Sequence, residues 1–90
     1  MLIAVQGALP VTVFSPLLRL RLTAPKPGCT SLDVDLDADA TLASLNARLN
    51  ESGLAHINMV PRSQGSSLHI AWEPVVKDRW SLYATFHGLQ

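Results

Sequence analysis

Two neighbouring stretches constrain this chain most. In Leu18-Arg19-Leu20-Arg21-Leu22 the apolar and cationic side chains alternate strictly. In Leu32-Asp33-Val34-Asp35-Leu36-Asp37-Ala38-Asp39 the apolar and anionic ones do the same. A period of two is the signature of a strand with one dry and one wet face. Aspartate disfavours strands, yet no helical face is satisfied by that pattern. The loop between them carries Pro25, Pro27 and Gly28, where two donors are missing and a positive φ is allowed. The pair predicts an antiparallel hairpin with Leu20 opposite Leu36, Leu22 opposite Val34, Arg21 opposite Asp35 and Arg19 opposite Asp37. Leucines then meet on the core side and opposite charges on the water side, and a slip of one residue would bury the charges.

The rest of the chain reads around that hairpin. Leu2 to Val5 and Val11 to Phe14 are short β-prone runs, with Gln6-Gly7-Ala8 as a turn between them. Thr41 to Ser52 predicts a helix: Asp39 or Thr41 caps it, and Leu42, Leu45 and Leu49 form one apolar stripe. Gly53 is placed for the left-handed position after its last turn. Ala55, Ile57 and Met59 alternate with polar neighbours, as do Leu68, Ile70 and Trp72, which predicts a second hairpin with Ile57 opposite Ile70 and Met59 opposite Leu68. Glu73 to Asp78, containing Pro74, reads as a link, and Trp80 to His87 as a terminal strand with an exposed edge. The joint solution is an α+β fold, residues 1–90 in a single domain. A mostly antiparallel sheet of four to six strands is expected, with one helix (about 41–52) on one face and the other face polar.

Charge narrows the function. Seven basic and seven acidic side chains give a net charge of zero, without the excess of Lys and Arg that nucleic-acid binding requires. The uncharged N-terminal stretch has no basic n-region and is interrupted by Pro10 and Pro16, which argues against a targeting segment or a spanning helix. One cysteine, Cys29, forms no internal disulfide, and a cytoplasmic location is expected.

Candidate chemistry is sparse. The Asp33, Asp35, Asp37, Asp39 ladder invites a calcium reading, but the glycine and glutamate positions of an EF-hand loop are not filled. Alternate carboxylates on an extended strand also sit about 7 Å apart, too far for several to share an ion. A solvated face, neutralised in part by Arg19 and Arg21, is the plainer reading. The strip left negative suits a basic protein partner. His56, His69 and His87 fall on three strands without metal-ligand spacing, so surface histidines are expected rather than a metal site. Cys29 shows no neighbouring base and reads as a loop-packing residue. Trp72 and Trp80 read as core, and Tyr83, beside Lys77 and Arg79, as a surface aromatic of the kind found at interfaces.

The segment Thr41-Leu42-Ala43-Ser44-Leu45-Asn46-Ala47-Arg48-Leu49-Asn50-Glu51-Ser52-Gly53-Leu54-Ala55, followed by Gly65-Ser66-Ser67-Leu68-His69-Ile70, resembles the small β-α-β-β insertion module of flagellins and filament-capping hook proteins. Leu49-Asn50 stands where that pattern has an Ile-Asn pair. The resemblance implies a noncatalytic recognition or packing module. The expectation is therefore a non-enzymatic protein-protein interaction module with no cofactor, no metal and no membrane or nucleic-acid partner. A small inhibitor or adaptor of the size phages and mobile elements encode fits this length. Its candidate contact residues are Asp33, Asp35, Asp37, Asp39, Lys77, Arg79 and Tyr83. The alternatives are a self-associating subunit, pairing as a homodimer through the terminal strand edge, and a small metal-dependent enzyme using His56, His69 and Asp78.

Overall fold

The computed structural model describes residues 2–15, 18–36, 41–59 and 66–88. Within them the chain order is β1 (Leu2–Gly7), β2 (Val11–Phe14), β3 (Leu18–Leu22), β4 (Ser31–Asp35), α1 (Leu42–Glu51), β5 (Leu54–Met59), β6 (Ser67–Val76) and β7 (Arg79–His87). The strands form two antiparallel sheets, one ordered β1-β7-β6-β4 and the other β2-β3-β5. The expected single sheet with a polar reverse face is replaced by two sheets that contribute to one core.

The alternation correctly marks what is buried. Leu18, Leu20, Leu22 and Leu36 have no exposed surface, and Val34 is 2% exposed, while Arg19, Arg21, Asp33 and Asp35 are all exposed. The strand partners differ from those expected. Arg21 lies opposite Thr12 on one side and Ala55 on the other, and Arg19 opposite Phe14 and Asn58. Asp33 and Asp35 lie opposite His69 and Ser67. Thus β3 and β4 belong to different sheets, and the expected hairpin that sets Arg21 opposite Asp35 does not form. Asp37 and Asp39 lie outside the described residues. The second expected hairpin fails likewise: β5 pairs with β3, whereas β6 pairs with β4 and β7. A dry face facing a shared core is satisfied by any apolar neighbour, so periodicity selects the face and not the partner.

The 73–78 link is in fact the end of a long hairpin. β6 runs on through Pro74 to Val76, the register shifts between Pro74 and Val76, and Lys77-Asp78 make the turn with Asp78 at φ 61°. A bulge is where a strand tolerates proline, and aspartate is among the few non-glycine residues that enter the left-handed region readily. β7 is therefore flanked on both sides, by β1 and β6, and offers no free edge. The turn expected at Gln6-Gly7-Ala8 is displaced: β1 extends through Gly7, and the bend that follows contains a cis Leu9-Pro10 peptide.

The helix forms where expected. The Thr41 hydroxyl accepts from the Ser44 amide at 3.1 Å, and the Ser44 hydroxyl accepts in return from the Thr41 amide at 3.1 Å, closing a reciprocal cap. Leu45 and Leu49 join the core cluster. Ser52 caps the end of the helix, and Gly53 follows in the left-handed region with φ 86°. Two buried polar atoms, Trp72 Nε1 and Ser81 Oγ, have no hydrogen-bond partner among the described residues. Ser81→Ala should therefore leave stability unchanged or raise it by up to about 1 kcal/mol, because it removes a desolvated hydroxyl that returns no bond. A urea midpoint that falls by the equivalent of more than about 1 kcal/mol would show that the hydroxyl is bonded.

Candidate interaction face

The outer surface of the four-stranded sheet gathers Asp33, Asp35, His69, Tyr83 and His87 from the residues singled out from sequence. Strand register sets them in rows. Asp33, His69 and Thr85 lie side by side across β4, β6 and β7. Asp35, Ser67 and His87 form the next row, and Ser31, Ala71, Tyr83 and Ala4 the row on the other side. Asp33 Oδ1 and His69 Nδ1 are 2.7 Å apart. The Tyr83 hydroxyl donates to Glu73 Oε1 at 3.2 Å. Beside that pair a concavity of about 280 Å³ is lined by Thr30, Ser31, Ala71, Trp72, Glu73 and Tyr83.

The charge on this face follows from the strand order. Asp33, Asp35 and Glu73 are exposed here. Arg19 and Arg21, their expected neutralisers, lie in the other sheet, where the Arg19 guanidinium sits 5.2 Å from the Phe14 ring centre. Arg48 of α1 reaches β4, but it donates to the Asp33 backbone carbonyl at 3.3 Å. Arg79, two positions along β7 from the Ser81 that lies opposite Glu73, adds a second guanidinium, so three carboxylates against two guanidinium groups leave the face net negative when its histidines are neutral.

The remaining candidates are dispersed. Lys77 and Arg79 flank the β6–β7 turn and are exposed. That turn lies eight residues along from His69, roughly 20 Å or more in extended geometry, so the basic tip stands at the far end of the sheet from Asp33 and Asp35, with Glu73 and Tyr83 between them. The same separation divides His69 from Asp78. His56 is on β5 of the three-stranded sheet, opposite Leu20, while His69 and His87 share the four-stranded one. Among the described residues no three His, Cys, Asp or Glu side chains gather as metal ligands.

Trp72 is core, at 1% exposed, whereas Trp80 is half-buried at the edge of a second cleft. That cleft, of about 360 Å³, is lined by Pro25, Lys26, Pro27, Cys29, Pro74 and Trp80. The Cys29 thiol contacts the Ser31 carbonyl at 3.8 Å, in keeping with a loop-packing residue. Sequence reasoning missed Glu73, because Pro74 disguised the strand that carries it, and missed Thr30 and Ser31, which have no distinguishing pattern. No helix among the described residues is long and apolar enough to cross a membrane. No family model, curated protein or solved structure matches the chain.

Proposed function

We propose that this protein is a non-enzymatic binding module, a small inhibitor or adaptor, whose contact surface is the outer face of the four-stranded sheet and whose protein partner presents basic side chains to it. The observation that carries this reading is the exposure of Asp33 and Asp35 on one face of β4, in a different sheet from Arg19 and Arg21. Exposed like charges held on a strand attract a complementary surface and steer its approach. Tyr83, tied to Glu73, adds an amphipathic ring beside them. In this reading α1 lies against the sandwich and buttresses β4 through Arg48, and the module works in the cytoplasm, where a lone thiol stays reduced. The resemblance of residues 41–70 to the flagellin and hook-protein insertion supports the same noncatalytic role.

The test compares wild type with the Asp33→Asn/Asp35→Asn double variant as bait at about 50 mM and about 500 mM salt, spanning weak to strong screening of exposed charges. A stoichiometric partner should be held at low salt, released at high salt, and bound at least about tenfold more weakly by the double variant. Binding insensitive to both salt and substitution would overturn the acidic contact face.

A further inference from the structure

The two sides of the sandwich guard their strand edges differently. On one side β4 ends the four-stranded sheet and β5 ends the three-stranded one. β4 carries two exposed carboxylates, Arg48 of α1 bonds to its backbone, and α1 contacts β5. Charge and a covering helix are the usual means of blunting an edge. On the other side β1 and β2 are the terminal strands, and these two are in contact.

Among the described residues β1 has none of those protections. Leu-Ile-Ala-Val-Gln-Gly contains no charge and no proline, and it pairs with β7 over all six residues without a register shift. Among the described residues no strand pairs with its other backbone edge, and that edge carries no charged side chain. Ile3 and Val5 pair with Ala84 and Leu82 on the inner face. Those two partners have no exposed surface, yet Ile3 and Val5 remain partly exposed. The core is thus open at this rim, and Leu9, just beyond it, is 40% exposed.

We infer that a second copy of this chain closes the rim, β1 pairing antiparallel with β1 across a two-fold axis to join two four-stranded sheets into one. A two-fold contact sets a strand against itself, so any charge on it would face its own kind. That excludes β4, where Asp33 and Asp35 would meet their copies, and favours uncharged β1. Centred on Ala4, the pairing sets Ala4 against Ala4 and Ile3 against Val5 of the second copy. Two cross-strand apolar pairs then cover the exposed parts of Ile3 and Val5 and continue the core across the axis.

Ala4 is exposed and lies on the outer face, so a charge there spares the monomer fold. Sedimentation from about 5 µM to about 500 µM, the range of a small edge-to-edge contact, should show wild type passing from monomer to dimer. Ala4→Lys and Ala4→Glu should each stay monomeric with unchanged circular dichroism. An equimolar mixture of the two should dimerise again, because opposite charges then face across the axis. A wild type that stays monomeric over this range, single variants that dimerise as wild type does, or a mixture that stays monomeric would each overturn the inference. The inference is independent of the acidic contact face, because sedimentation of this chain alone reads self-association and not partner binding, and Asp33 and Asp35 lie on β4, at the far edge of the same sheet.

Discussion

Gly53→Ala should lower stability by about 3 kcal/mol or more, a drop in Tm of roughly 15 °C or more for a domain of this length. Two costs act together. Gly53 holds φ 86°, where a Cβ costs about 1–2 kcal/mol even in open space. Here the space is not open, because an alanine Cβ would collide with the backbone carbonyl of Ala24. Neither group moves freely. The Gly53 carbonyl accepts from the Thr23 and Ala24 amides, each at 3.1 Å, and from the Thr23 hydroxyl at 3.0 Å. The residue that follows the cap of α1 therefore also anchors the chain as it leaves β3. Gly28 is the control: it holds φ 81° with nothing near its missing Cβ, so Gly28→Ala should show the conformational cost alone, about 1 kcal/mol. Equal losses for the two variants, measured by urea unfolding, would show that Gly53 contributes through its backbone angle alone.

Trp72→Ala should cost about 3–5 kcal/mol, a large share of the roughly 5–13 kcal/mol expected for a chain of this size. Trp72 is 1% exposed, and its strand neighbour Leu82 is fully buried. Truncation leaves a cavity in the middle of the four-stranded sheet's inner face. The indole N–H has no partner among the described residues, so Trp72→Phe sacrifices no hydrogen bond there and should cost distinctly less than the alanine variant. Trp80 provides the contrast. It is half-buried beside Pro25, Pro27 and Pro74, so Trp80→Ala should cost under about 2 kcal/mol. Urea unfolding of the three variants checks the order, and a Trp80→Ala loss as large as that of Trp72→Ala would contradict the burial difference.

The parts legible from sequence are those governed by neighbours along the chain. Leu18, Leu20 and Leu22 had to face inward because their spacing matches the pleat, and they do. Thr41 and Gly53 bracket the helix because capping and the left-handed turn are decided within a few residues. Of the contact residues expected from sequence, Asp33, Asp35 and Tyr83 share one surface. Lys77 and Arg79 lie toward the turn end of the β6–β7 hairpin, beyond Tyr83 from Asp33 and Asp35. Glu73 was passed over because Pro74 argues against a strand, and the bulge that accommodates it is not written locally.

Local chemistry thus determined which side chains of this protein are dry, where its helix begins and ends, and which residues meet water. Strand partnership was decided in three dimensions. Arg21 opposite Asp35 and Arg21 opposite Thr12 and Ala55 both leave the guanidinium in solvent, where an ion pair contributes no more than about 1 kcal/mol. So weak a preference on the wet face yields to the packing of Leu18, Leu20 and Leu22 against the residues of a second sheet. That choice places Arg19 and Arg21 in one sheet and Asp33 and Asp35 in the other, and the charge of the candidate face follows in part from it.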